Sequence, residues 1–232
     1  MWATLTASPS TWLAVTIGLY VLANHASTTW FRGHPLANPV LLAISVLCTL
    51  VWLSEIDATR YLEMTRPLTL LIGPATVSLA LPLWRNRQRV KDNLVPLLAA
   101  LTAGCLTAYF ATEALSDAVG FSQQVTVSLA PRSTSAPIAM GLAEIRGGLP
   151  TLAMCAVLIS GVVGAVLLTA VSRLMRITDP AAIGFTAGLS SHALGVARSM
   201  ELGATQAAFA SLGMLLNGVA TSILVAMILG LG

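Results

Sequence analysis

The residues most able to do chemistry in this sequence lie in Pro131-Arg132-Ser133-Thr134-Ser135-Ala136-Pro137. This stretch sets one cation beside three hydroxyl side chains, between two short apolar segments. The guanidinium group of Arg132 donates hydrogen bonds in a planar fork that fits a carboxylate. A half-helix that begins at Pro137 would direct unpaired backbone N–H groups at the same place. The pattern predicts a substrate site for an organic anion, formed by Arg132, Ser133, Thr134, Ser135 and Pro137. The alternative is an arginine that snorkels from a surface turn.

A second proline occurs in Gly73-Pro74-Ala75-Thr76, within an apolar stretch. Proline removes a helical hydrogen bond and clashes with the preceding turn, so a break or kink is expected. The half-helix after a break would offer backbone N–H groups and the Thr76 hydroxyl. We therefore predict that Gly73, Pro74, Ala75 and Thr76 complete the anion site, that residues 73–74 and 131–137 are non-helical, and that both lie near the membrane midplane. The alternative is a kink that only improves packing.

These two proline segments also resemble each other. Residues 74–80 align with residues 137–143 through the pattern Pro-x-x-x-small-Leu-Ala. A pair of proline-interrupted apolar segments is typical of transporters built from an internal repeat with broken helices. Chance similarity in a sequence rich in Ala and Leu is the alternative.

Two ionisable residues are candidates for coupling to a proton or a sodium ion. His192 follows Gly188 by four positions and Gly184 by eight, so on a helix it shares their face, which is expected to pack inward. A histidine there could carry a proton, or could simply donate to a backbone carbonyl. Glu144 ends a short apolar stretch, where it could bind a coupling ion or face solvent.

The composition indicates where these residues must be held. Only 9% of the 232 residues are charged and 56% are hydrophobic, and several uncharged runs reach the roughly 17 to 25 residues that a spanning helix needs. We predict an all-α polytopic membrane protein, a single domain over residues 1–232, with seven or eight transmembrane or re-entrant segments in the lipid bilayer. The predicted segments are Thr11 to Asn24, Leu36 to Leu53, Pro67 to Trp84, Leu94 to Leu115, Phe121 to Gly148, Leu149 to Leu174, Pro180 to Met200 and Ala204 to Leu231. Whether residues 121–148 cross the membrane or re-enter it stays open.

Other chemistries have little support in the sequence. Cys48, Cys105 and Cys155 lie in separate apolar runs, and no HExxH, GxSxG, Walker A or GxGxxG pattern occurs. We therefore expect neither an enzyme nor a cofactor or metal site. The net charge of +3 comes largely from one basic loop at residues 85–91, which is a topology signal and not a nucleic-acid surface. That loop is expected to be cytoplasmic, but beyond residue 120 the basic residues do not decide the orientation.

Four longer motifs resemble the LrgB/CidB family of membrane proteins. Residues 130–140 resemble its Pro-Lys-Ser-x-Thr-Thr-Pro-Ile-Ala-Met signature, and residues 71–80 resemble its Leu-Gly-Pro-Ala-Thr-Val-Ala-Leu-Ala segment. Residues 191–198 resemble its His-Ala-x-Gly-Thr-Ala motif, and residues 207–212 resemble the Gly-Ala-Phe-Ser-Ser-Leu stretch that follows. The sequence departs from the family pattern at Arg132, where lysine is usual, and at Ala136 and Val196, where threonine is usual.

The resemblance implies two different functions. The family is named for holin-like and antiholin-like control of murein hydrolases and autolysis, whereas plant relatives resemble plastid glycolate and glycerate carriers and bacterial pairs are linked to pyruvate uptake. It also implies a multi-pass protein of the bacterial inner membrane with a separate LrgA-like partner. We prefer a carrier for small monocarboxylates such as pyruvate, lactate, glycolate or glycerate, because broken helices and an intramembrane arginine suit a carboxylate. The holin-like regulator is the alternative, and homo-oligomerisation stays open.

Overall fold

The computed structural model describes residues 8–31, 37, 39–78 and 80–230. The regular structure of these residues is helical, and they include no β-strand, so the predicted all-α class is confirmed. The chain divides into two compact units, Met1–Ala80 and Leu81–Gly232, and each is described by itself.

The first unit contains four helices in its described part. They are α1 (Pro9–Thr29), α2 (Pro39–Leu53), α3 (Ala58–Met64) and α4 (Arg66–Ser78). Helices α1 and α2 pack on each other. Helix α3 begins where the Asp57 carboxylate accepts a hydrogen bond from the Thr59 amide at 3.1 Å, a standard N-cap. The Tyr61 hydroxyl lies 2.9 Å from Thr16 Oγ1, so a polar contact joins α3 to α1.

Helix α4 runs through Gly73 and Pro74 without interruption. The prediction that residues 73–74 are non-helical is therefore wrong. A proline removes one backbone hydrogen bond, and the bonds of the turns on either side are sufficient to keep the chain helical. The side chains of residues 73, 75 and 76 lie outside the described part of the structure, and their proximity to residues 131–137 stays a prediction.

The second unit holds the described helices that are both long and apolar enough to cross a bilayer. Its described helices, with α5 at the boundary between the units, are α5 (Ala80–Arg85), α6 (Arg87–Asp92), α7 (Leu94–Val119), α8 (Gln123–Leu129), α9 (Ala136–Ile145), α10 (Pro150–Leu174), α11 (Pro180–Leu202) and α12 (Ala204–Ile228). Among the described helices, α7, α10 and α12 combine sufficient length with high hydropathy. At 1.5 Å per residue, a helix of 25 residues is roughly 37 Å long. The protein is therefore a membrane protein, and the total of seven or eight segments stays a prediction.

Residues 121–148 fold back on themselves. Near the start of α10, the Leu149 amide donates to Ser128 Oγ at 2.7 Å. About three turns further along α10, the Ser160 hydroxyl donates to the carbonyl of Arg132 at 2.8 Å. The chain therefore rises from Ser128 to a tip at residues 130–135 and returns through α9, which packs along α10. Helices α8 and α9 with this tip form the first hairpin, which starts and ends beside the same end of α10.

Helix α11 is also a hairpin, although it was predicted to be one apolar segment. His192 has φ 41° and ψ −129° in its middle, and the chain reverses there. A β-carbon added at Gly195 would overlap the carbonyl oxygen of Ala187, whereas residues eight apart in a straight helix are about 12 Å apart. Ile183 and Leu202, from the two ends of α11, line one small cavity. Residues 180–202 therefore form the second hairpin, with its tip at His192.

The bases of the two hairpins lie at opposite ends of α10. Helix α10 starts beside the base of the first hairpin and crosses to the loop that leads into the second. Helix α12 then starts beside the base of the second hairpin and crosses back. The order hairpin, span, hairpin, span is thus an inverted repeat. It differs from the repeat predicted from Pro74 and Pro137, because Pro74 lies in a continuous helix.

Glycines allow the second hairpin to pack closely on α12. A β-carbon at Gly184 would overlap the Gln206 backbone, and one at Gly188 would overlap the carbonyl oxygen of Ala210. His192 is buried as well, with 4% of its surface exposed, and its ring packs against α10 at Gly161. The prediction that Gly184, Gly188 and His192 pack within the protein is confirmed. Small residues at this spacing let the two backbones approach.

Replacing Gly188 with alanine should destabilise the protein. Alanine in place of glycine within a helix usually stabilises by about 0.4 to 1 kcal/mol, but here the methyl group meets a backbone oxygen that cannot move without shifting the helix. Overpacking of this kind costs about 1 to 3 kcal/mol. Gly141→Ala is the matched control, because nothing lies within 4 Å of a β-carbon at Gly141. Thermal unfolding of the purified variants should show a lower midpoint for Gly188→Ala alone, and equal midpoints would contradict the close packing.

Candidate anion site between the hairpin tips

The tips of the two hairpins meet near the middle of the spanning helices. Asn217, at the centre of α12, donates from Nδ2 to the carbonyl of Ser133 at 2.8 Å and to the carbonyl of Leu189 at 3.1 Å. Ser133 belongs to the first tip and Leu189 precedes the second. Asn217 is 1% exposed, so these bonds are shielded from water. One side chain therefore joins both tips.

Arg132 projects from the first tip towards α7. Its Nη1 donates to the Ala108 carbonyl at 3.0 Å and to the Thr112 hydroxyl, and that hydroxyl in turn donates to the same carbonyl at 2.6 Å. Both hydrogen bonds use one nitrogen of the guanidinium group. The remaining donors of the fork are not used by the described residues and are available to a ligand.

A cavity of about 530 Å³ lies against this arginine, within the range of roughly 300 to 1,000 Å³ for small-molecule sites. Its polar side chains come from three segments of the second unit: Arg132 and Ser133 from the first tip, Ser160 from α10 and Ser190 from the second hairpin. The rest of the lining is apolar or small: Ala108, Leu129, Ala156, Ile159, Val163 and Gly164. Among the described residues of the lining, Arg132 is the only charged one. Such a cavity favours a small ligand with one negative charge.

The residues predicted from the first tip have different positions in the structure. Arg132 and Ser133 line the cavity. Thr134 is buried and donates to the Pro131 carbonyl at 2.9 Å, so it stabilises the tip itself. Ser135 is the N-cap residue of α9, and Pro137 lies exposed in the first turn of that helix. Residues 131–135 are non-helical as predicted, whereas Ala136 and Pro137, for which the same prediction was made, already belong to α9.

The two candidates for ion coupling lie in different surroundings. His192 Nε2 is 2.9 Å from the Val157 carbonyl, and the ring packs where a β-carbon at Gly161 would be. This is the structural role that the sequence left open as an alternative. Glu144 is exposed near the end of α9. The cavity lining includes neither residue.

Three residues of the site were not predicted from the sequence. Ser160 and Asn217 lie in the middle of long apolar helices, where an isolated polar residue has no local pattern. Ser190 directly precedes the motif at residues 191–198 and is not part of it. A polar residue at the centre of a spanning helix is itself a functional signal, and Asn217 could have been identified on that ground.

A partly buried ion pair next to the site was also not predicted. Arg146, just after α9, donates to Glu113 of α7 at 2.9 Å and to the Tyr109 hydroxyl. The Arg146 and Glu113 side chains are 12% and 24% exposed. Glu113 directly follows Thr112, the residue that binds Arg132. The pair thus fixes the base of the first hairpin to the helix that orients the arginine.

Removing Glu113 should lower stability, because Arg146 would keep its charge in a poorly hydrated place. Glu113→Ala is expected to cost about 1 to 3 kcal/mol, the usual penalty for leaving a buried polar group unpaired. The measurement is the thermal unfolding midpoint in detergent. Asp117→Ala, at an exposed position of the same helix, should have little effect. The double variant Glu113→Gln/Arg146→Gln should recover part of the loss, and a full loss in the double variant would contradict the ion-pair explanation.

The second unit thus has the features of a membrane protein with two opposed hairpins and, beside their tips, a mostly apolar cavity that holds one arginine. The LrgB-like family model matches residues 16–231, and the chain belongs to that family, as the motifs indicated. It is similar to the holin-like protein CidB of Staphylococcus aureus, with 28% identity over 92% of both chains. It is also similar to CidB of Staphylococcus epidermidis, with 26% identity over 92% of both chains. The antiholin-like protein LrgB of Bacillus cereus is 26% identical over 84% of this chain and 85% of its own. No solved structure matches the chain.

Proposed function

We propose that this protein is a membrane carrier for small monocarboxylates. The observation that carries the proposal is the cavity beside Arg132, between the tips of two hairpins that enter from opposite sides. Carriers of several folds place their substrate at the midplane between inverted repeats, among broken helices. A substrate bound there can be reached from either side in turn when one tip moves.

The chemistry of the cavity indicates the substrate class. One guanidinium group balances one carboxylate, so a second carboxylate would stay unpaired in an apolar surrounding. The serine hydroxyls of the lining can bond the 2-oxo or 2-hydroxy oxygen that pyruvate, lactate, glycolate and glycerate share. The cavity thus suits small monoanions better than dicarboxylates.

A second candidate function is holin-like or antiholin-like control of cell lysis. It is supported by the names of the relatives, which are called holin-like and antiholin-like proteins. These names favour this role over transport. The two functions make different demands on the site, because a lysis regulator needs assembly in the membrane and no occupied cavity.

Location and partners belong to the same proposal. The second hairpin returns Arg198 to the end of the unit that also holds Arg173 and Arg176, and Arg89 pairs with Asp179 at that end at 2.7 Å. The opposite end of the second unit holds Arg146 as its basic residue. The arginine-rich end is proposed to be cytoplasmic by the positive-inside rule, in a bacterial inner membrane and with a small LrgA-like partner.

Arg132→Ala should strongly weaken uptake while leaving the protein folded. A charge-assisted contact is worth about 1.5 to 3 kcal/mol, so the apparent affinity for pyruvate or glycolate should fall by about 10-fold to 100-fold. Arg132→Lys should recover part of the lost affinity, because lysine keeps the charge but not the fork.

The measurement is radiolabelled uptake into proteoliposomes under a pH gradient, with and without the LrgA-like partner. Arg173→Ala, an exposed arginine, is the control. Absence of saturable uptake by the unmodified protein would overturn the carrier function.

The same variant separates the two functions in cells. If lysis control is a consequence of transport, Arg132→Ala should abolish both uptake and any effect of the protein on autolysis rate. If the variant transports nothing yet changes autolysis as the unmodified protein does, the lysis role is independent of the cavity, and the holin-like function is preferred.

A further inference from the structure

The two halves of the inverted repeat correspond without a gap. A constant interval of 57 residues, the separation of Ser160 from Asn217, relates residues 123–171 to residues 180–228. Both hairpins start after a side-chain N-cap, Ser122 in one and Asp179 in the other. Identical residues recur at this interval: Ala130 and Ala187, Ser133 and Ser190, Ala136 and Ala193, Glu144 and Glu201, and Gly161 and Gly218.

The hydrogen bonds that hold the tips obey the same correspondence. Ser160 of α10 donates to the carbonyl of Arg132 at 2.8 Å, and Asn217 of α12 donates to the carbonyl of Leu189 at 3.1 Å. Ser160 corresponds to Asn217, and Arg132 corresponds to Leu189. Each spanning helix therefore uses the same position to bind the same position of the hairpin before it.

Asn217 differs from Ser160 in one respect. Its second amide hydrogen reaches the first tip, because Nδ2 is 2.8 Å from the Ser133 carbonyl and 3.3 Å from the Ser133 hydroxyl. A serine at this position could donate only one hydrogen bond. Asn217 thus binds both tips, whereas Ser160 binds only the first.

We propose that Ser160 and Asn217 are equivalent positioning residues, one in each repeat, that hold the hairpin tips closed over the cavity. Ser160 secures the first tip, which presents Arg132. Asn217 secures the second tip and couples it to the first. This role rests on the proposed carrier function, since opening of either tip would expose the cavity to one side of the membrane.

The test is amide hydrogen exchange of the two tips, followed by mass spectrometry on the protein in lipid nanodiscs without substrate. Exchange of protected amides reports the equilibrium of local opening. Ser160→Ala should speed exchange in residues 130–135 by about tenfold, the factor expected for one lost buried hydrogen bond, and leave residues 189–194 unchanged. Asn217→Ala should speed exchange in both tips. Ser160→Thr, which keeps the hydroxyl, should restore the slow rate.

Ser211→Ala is the matched control, because Ser211 is a buried serine of α12 that donates to the Ala207 carbonyl of its own helix. It should leave both tips unchanged. Equal acceleration of both tips by Ser160→Ala, or no acceleration of the second tip by Asn217→Ala, would overturn the assignment. Since exchange requires no transport, its outcome is independent of the uptake assay: a protein without uptake can show tip-selective exchange, and a working carrier can lack it.

Discussion

The structure of the second unit depends on the need to bond every backbone group that lies away from water. An irregular segment in a bilayer core leaves carbonyl and amide groups unpaired, and each unpaired group costs several kcal/mol. The two hairpin tips contain such groups at the depth where the spanning helices have their centres. Ser160, Asn217 and Thr134 each donate to a carbonyl in or next to a tip. The polar residues of these apolar helices are therefore needed to bond the irregular backbone of the tips, in addition to any role in binding a ligand.

Close packing brings these donors within reach. Where α11 meets α12, glycines at positions 184, 188 and 213 leave no side chain between the backbones. The partly buried ion pair of Arg146 and Glu113 has a similar effect at the base of the first hairpin, since it fixes α7 beside the tip. Because Thr112 and Ala108 of α7 hold the guanidinium group, the orientation of Arg132 depends on this packing.

Part of this arrangement could be predicted from the sequence. The all-α membrane class follows from hydropathy, and the break at residues 131–135 follows from its prolines and hydroxyl residues. The glycine spacing placed His192 on an inward face. The reversal at His192 could not be predicted, because neither proline nor glycine marks it and a positive φ at histidine depends on the packing around it. Pro74 shows the opposite case, where a proline motif is accommodated in a helix. The contributions of Ser160 and Asn217 depend on contacts between segments distant in sequence, for which no local pattern exists.

The bond between Asn217 and Ser133 also has a consequence for biogenesis. The two residues are separated by 84 positions, so a growing chain inserts the first hairpin well before its partner in α12 has been made. Until then, the Ser133 carbonyl lacks this hydrogen-bond donor. Insertion of the first hairpin and closure of its tip by Asn217 are therefore separate events in time, and the bond between them can form only after α12 has entered the membrane.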